Sequence, residues 1–156
     1  MSQRRAALEA VCRQHRIVIL YSFGSRAREV LAWLDEAESV LAPGPSDVDI
    51  GAKPVRLPST ADERGWGPKE PESALDLNSA VALTHALEDL FGVQRVDLVN
   101  LDSASPYLAA EIIHGERLYA EDEYAADNFD LYILRQEADL APLEEERARL
   151  LLGTDT

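Results

Sequence analysis

The chain reads as a single α/β domain, a small mixed sheet flanked by helices, with a helical tail toward its C-terminal end. Three observations predict this. Apolar runs of strand length occur at Ile17-Val18-Ile19-Leu20-Tyr21 and around Val96-Asp97-Leu98-Val99. Segments of helical periodicity separate them. A length of 156 residues suits one domain and suffices to bury a core. The domain is assigned to residues 1–156, with its core over about 15–121 and the tail over about 122–152.

Each element has its own reason. A first helix runs from Gln3 to Gln14 and carries Leu8, Val11 and Cys12. Ile17 to Tyr21 is unbroken in its apolarity, as a strand covered on both faces should be. At Gly24-Ser25 the strand turns into a helix, since Ala27, Val30, Leu31 and Leu34 recur at helical spacing, and Ser25 is expected to be its N-cap. Trp33 to Pro45 is expected to lengthen that helix and add a Pro-Gly-Pro loop. A second strand carries Asp47-Val48-Asp49-Ile50. The loop from Pro54 to Ser73 holds Pro54, Pro58, Pro68, Pro71, Gly65 and Gly67 and should be irregular.

A helix ending near Phe91 presents Ala80, Leu83, Thr84 and Leu87 on one face, and Gly92 suits a left-handed cap. The Val96 to Leu101 strand follows. Ser105-Pro106 is a good cap and first-turn pair for a helix to His114, closed by Gly115. Arg117-Leu118-Tyr119 adds a short edge strand. From Asp122 to Leu140 the pattern is helical, with Ala125, Phe129, Tyr132, Ile133 and Leu140 along one side. Pro142 is expected to interrupt it before a last helix, Leu143 to Leu152. This tail packs on its own sheet or serves a partner.

The chemistry lies in three short segments. Backbone N–H groups at the Gly24-Ser25 turn suit a phosphate, and glycine lets the anion approach closely. In a strand, Asp47 and Asp49 share a face while Val48 and Ile50 point to the core. Two such carboxylates repel unless a cation lies between them, and Mg²⁺ fits, taking oxygen ligands and sharing phosphate oxygens with substrate. If the Asp97 strand pairs beside the Asp47 strand, a third carboxylate joins the cluster, able to hold the metal and to accept a proton from an attacking hydroxyl. The residues therefore describe a site for a nucleoside triphosphate and its magnesium. Arg26 is a candidate phosphate contact, or an ordinary surface arginine.

Fifteen basic against twenty-nine acidic residues leave a net charge of −14. That disfavours direct nucleic-acid binding and favours a basic protein surface or a small charged substrate carrying metal. One cysteine, Cys12, excludes an intrachain disulfide and a cysteine-rich zinc site, as expected in the cytoplasm. No segment approaches the roughly 18 apolar residues that a membrane span needs, and no signal peptide is evident. His15, His85 and His114 are widely spaced and form no metal pattern. Trp66, between Gly65 and Gly67, is placed to stack on a base, to insert into a partner or to cover an apolar patch.

Gly24-Ser25, Asp47-x-Asp49 and the later Asp97 resemble the pattern of the minimal nucleotidyltransferases, or MNT proteins, of the DNA polymerase beta superfamily. The likeness covers about residues 15–121 and takes in Leu83 to Gly92, Val96-Asp97-Leu98-Val99, Ser105 to Ile113 and Gly115 to Tyr119. It departs in one place: Arg26 to Ser46 makes twenty-one residues where the family usually has about ten. The resemblance implies the polymerase-beta-like fold and transfer of AMP from ATP to a hydroxyl. By it Gly24, Ser25 and Arg26 bind the nucleotide, and Asp47, Asp49 and Asp97 bind Mg²⁺ and are catalytic. Stand-alone members resemble antitoxins that AMPylate a tyrosine of a HEPN ribonuclease toxin, implying a cognate HEPN toxin as partner and a hetero-oligomer. Two alternatives stay open, an antitoxin that neutralises its toxin by binding alone and a transferase acting on a small molecule.

Overall fold

The computed structural model describes residues 2–37, 41, 47–55 and 75–152. The Pro-Gly-Pro segment, Trp66 and nearly all of the Pro54 to Ser73 loop lie outside the described residues. The elements run α1 (Gln3–Gln14), β1 (Ile17–Phe23), a 3₁₀ turn (Gly24–Arg26), α2 (Ala27–Leu34), β2 (Val48–Pro54), α3 (Leu77–Phe91), β3 (Val96–Asn100), α4 (Pro106–Ile113), β4 (Glu116–Ala120) and α5 (Glu123–Leu152). The sheet has four strands in the order β3-β2-β1-β4. β1 pairs antiparallel with β2 and with β4, and β2 pairs parallel with β3, so the sheet is mixed and β4 is an edge.

Alternation along β1 explains its apolar run. Leu20 packs with α1, α2 and α3, whereas Ile19, Tyr21 and Phe23 pack with α4 and α5. On β2, Val48, Ile50 and Ala52 face α1–α3, which sends Asp49, Gly51 and Lys53 to the α4–α5 face. Ile112 of α4 lies so closely over Gly51 that a Cβ there would stand 2.4 Å from its Cγ2. Thus α4 crosses β2 one pleat beyond Asp49 and leaves that carboxylate at the edge of the helical layer.

Several caps follow the sequence. Ser105 Oγ accepts from the Leu108 N–H with Pro106 in the first turn, and Gly92 ends α3 at φ +68. Glu88, in the last turn of α3, accepts from the Val96 N–H at 3.1 Å and so joins α3 to the start of β3.

Three expectations change. Ser25 does not cap α2: it sits within the 3₁₀ turn, and the helix begins at Ala27 behind Arg26 with no side-chain cap. Gly24, at φ +75, permits this tighter turn, and the buried Ser22 hydroxyl donates to the Ala27 carbonyl to hold it. Nor is α2 lengthened, since it closes at Leu34, and Glu36 follows at φ +63. Finally, Pro142 does not divide the tail: α5 is one helix of 30 residues with the proline inside it. Its buried side is Ala126 and Ile133 with half-buried Phe129 and Leu140, while Ala125 and Tyr132 are exposed. Of the expected side Phe129, Ile133 and Leu140 are covered, whereas Ala125 and Tyr132 are not, and Ala126 takes the place of Ala125 against α4 and β1.

The tail packs on its own domain through Asp130. Tyr21 on β1 and Arg117, its cross-strand neighbour on β4, both donate to that carboxylate. Burial, then the hydrogen bond it donates to Asp130 and the charge of that carboxylate, push the Tyr21 phenol above its ordinary value. Among the described residues no helix is long and apolar enough to cross a membrane.

Candidate active site

The three sequence segments meet at one end of the sheet. The register pairs Phe23 with Asp49 across β1 and β2, and Asp49 with Asp97 across β2 and β3. Hence the end of β1 delivers the Gly24-Ser25 turn beside Asp49, and the parallel pairing sets Asp97 level with it on the same face. Asp47 precedes β2 by one residue and alternates with Val48, which is fully buried. The expected pairing of the Asp97 strand beside the Asp47 strand is what the sheet contains.

A Cβ on Gly24 would stand 2.5 Å from Asp49 Oδ2, so only glycine leaves room for that carboxylate against the turn. Burial raises the Asp49 carboxyl above its ordinary value, and the charges of Asp97, Asp47 and Glu111 add to it. The donor set is all oxygen, from two adjacent strand segments, with mutual repulsion that a divalent cation would relieve, which fits Mg²⁺. Among the described residues no three His, Cys, Asp or Glu side chains are gathered tightly enough to hold an ion as they stand. Asp47 leans to Arg95, with Nε 3.5 Å from Oδ2, and Asp97 is exposed.

Arg26 and Arg28 part company. Arg26 is buried and turns back to Glu29, donating through Nε at 3.0 Å and through a terminal nitrogen at 2.8 Å. Arg28 is exposed and lines a cleft of about 340 Å³ together with Gly24, Ser25, Glu111 and His114. Of these two arginines the one that lines the cleft is Arg28, two residues on from Arg26. A larger groove, about 780 Å³, lies between α4 and α5 by Lys53, Phe129 and Tyr132, and none of the three aspartates lines either of the two.

Glu111 is the acidic residue the sequence does not reveal. It sits on α4 beside Ile112, and the Ile112–Gly51 contact is what brings it to the cleft. Nothing in its local sequence distinguishes it from any exposed helical glutamate. His114 reaches the same cleft, with Nε2 3.1 Å from Glu137 on α5.

No protein-family model and no curated protein matches the chain. Solved structures do. A toxin–antitoxin structure with AMP-PNP is similar at a TM-score of 0.63 and 16% identity, over 95% of this chain and 98% of that one. A tri-AMPylated Shewanella oneidensis HEPN toxin in complex with MNT antitoxin is similar at a TM-score of 0.60 and 16% identity, over 96% of each chain. The toxin–antitoxin pair MntA–HepT gives 0.59 and 16%, over 96% of this chain and 97% of that one. The chain thus carries the MNT nucleotidyltransferase fold along nearly its whole length.

Proposed function

We propose that this protein is a minimal nucleotidyltransferase acting as an antitoxin: with Mg²⁺ it transfers AMP from ATP to a hydroxyl, a tyrosine of a cognate HEPN-type toxin. The observation that carries the reading is the level placement of Asp49 and Asp97 on adjacent strands with Gly24 pressed against Asp49. Similar folds in an AMP-PNP structure and in a complex with an AMPylated toxin support it.

In this reading the N–H groups of Gly24 and Ser25 face the triphosphate, and Arg28, at the cleft wall, supplies the cationic contact. Asp47, Asp49 and Asp97 would hold Mg²⁺, which when bound offsets charge on the phosphates. Asp97, exposed where Asp47 and Asp49 are half-buried, faces the incoming acceptor and takes the hydroxyl proton. The acceptor oxygen bonds to the α-phosphorus as the bond from that phosphorus to the bridging oxygen breaks, and pyrophosphate leaves. Position and electrostatics supply nearly all the rate, so the carboxylates matter to turnover far more than to folding.

The test combines purified protein, magnesium, α-labelled ATP and the toxin. Label is expected on the toxin with wild type, and reduced on the order of 10²–10³-fold with Asp49→Asn or Asp97→Asn. Undiminished label with either variant removes these residues from the chemistry. One observation favours a second reading, neutralisation by binding alone: the carboxylates are not gathered tightly enough to hold an ion as they stand. Toxin inhibition without ATP and without label would favour it.

A further inference from the structure

The cleft beside the Gly24-Ser25 turn is built from two unlike groups of residues. The turn and α2 contribute Gly24, Ser25 and Arg28, whereas the end of α4 and the start of β4 contribute Glu111, His114 and Glu116. The first group offers hydrogen-bond donors and positive charge, and the second offers two carboxylates. Elsewhere opposite charges that lie near each other pair, as Arg13 does with Glu9, Arg26 with Glu29 and Lys53 with Asp102. In the cleft, His114 is engaged by Glu137. Arg28 and Glu111 line the same 340 Å³, yet neither side chain makes an ion pair or a hydrogen bond among the described residues. A ligand that fits brings anionic oxygens to the one group and hydrogen-bond donors to the other.

An exposed glutamate without a partner is ordinary, so Glu111 stands out by its position alone. Burial, Asp97 and Asp47 raise the Asp49 carboxyl, and the charge of Glu111 adds to them. Of the two cleft glutamates, Glu111 is thus the one whose charge reaches a carboxylate of the cluster. An anion in that place repels a phosphate but accepts readily from a neutral donor. In a nucleoside triphosphate the neutral group joined to the α-phosphate through the 5′ oxygen is the ribose, and its free hydroxyls are donors. The base lies one ring further away. A carboxylate accepting from a ribose hydroxyl is a recurrent way of reading the sugar of a nucleotide.

We propose that Glu111 is a specificity-determining residue of this site, its carboxylate accepting a hydrogen bond from a ribose hydroxyl and so selecting nucleotides that carry that hydroxyl. This rests on the nucleotidyltransferase reading above. It also gives the Ile112–Gly51 contact a consequence for the substrate, since the seating of α4 on β2 is what brings Glu111 to the cleft.

The experiment uses the full chain, wild type and Glu111→Ala, titrated in magnesium with ATP, 2′-deoxy-ATP and 3′-deoxy-ATP. Melting temperature and toxin labelling are measured on the same samples. Glu111 is exposed and unpaired among the described residues, so the variant is expected to melt as wild type does. Wild type is expected to bind ATP on the order of 10-fold or more tighter than one of the deoxy analogues, and Glu111→Ala to bind ATP and that analogue alike. A merely structural role would weaken all three nucleotides together. That result, or a wild type that binds all three alike, overturns the ribose assignment, and label on the toxin with wild type leaves the transfer reading standing. Discrimination that survives in Glu111→Ala overturns the assignment too, and places Glu111 on a cation-bound water if the variant needs more magnesium. A wild type that binds no nucleotide in magnesium overturns the transfer reading, and this role with it.

Discussion

Gly24 stands at φ +75 with Asp49 Oδ2 where its side chain would begin, so two independent costs meet at one residue. Gly24→Ala is expected to lose about 1–2 kcal/mol of stability from the left-handed backbone alone, and to displace the Asp49 carboxylate as well. Thermal unfolding and the labelling assay, run side by side, separate these: transfer should fall further than the stability loss explains. Asp49→Asn should behave oppositely, abolishing transfer while holding or raising the melting temperature of metal-free protein, because it removes one of a group of crowded like charges. Arg95 is 77% exposed where it meets Asp47, so their pair is worth at most about 1 kcal/mol. It opposes gathering of the cluster only weakly, and Arg95→Ala should change magnesium affinity no more than a few-fold. Cys12 offers a pH test. Burial, then the Glu9 charge, push its thiol from 9.0 up to about 12. Below pH 9.0 folded and unfolded chains both keep the proton; above it the unfolded chain releases it first, so stability should fall between pH 9.0 and about 12. Cys12→Ala should flatten that decline, as denaturant titrations at either end of the interval would register.

At the scale of elements, α5 is held where Tyr21 and Arg117 converge on Asp130. The Arg117 bonds to Glu123 and Asp127 reach carboxylates 75% and 67% exposed and add little, so the Asp130 bond carries the attachment. Arg117→Met is expected to cost about 2 kcal/mol and to speed hydrogen exchange across α5 before any other helix, whereas Tyr21→Phe should cost about 1 kcal/mol. The elements themselves were largely legible: α1 spans Gln3–Gln14 as the spacing predicts, and Ser105-Pro106 and Gly92 cap as their chemistry dictates. What was not legible depends on contacts remote in sequence. Ser25 lost the cap because Ser22 and the positive φ of Gly24 favour a 3₁₀ turn. On α5 the local pattern placed Phe129, Ile133 and Leu140 but put Ala125 and Tyr132 where Ala126 is covered, because α4 and β1 select the edge of that face. Pro142 faces away from the seam of α5, where a missing N–H costs a hydrogen bond without a clash in the core.

Taken whole, the molecule draws its candidate site from residues 24–25, 47–49 and 97, and the strand order makes those segments neighbours. The shared side of the aspartates was readable in advance because a strand fixes which residues share a face; that Glu111 and Arg28 line the cleft was not, since each depends on how a helix is rolled against the sheet. Phase also governs how such a chain can change in length. The register of β3 rests on Glu88 accepting from Val96 and on the Val48 N–H donating to the Arg95 carbonyl at 3.3 Å. A slip of β3 against β2 by one residue would turn Asp97 to the α1–α3 side, whereas a slip of two would restore its direction. The twenty-one residues between Ser25 and Asp47, by contrast, leave the Phe23–Asp49 pairing in place. Insertions and deletions within β3 should therefore be counted by parity, because each one inverts the face on which Asp97 stands.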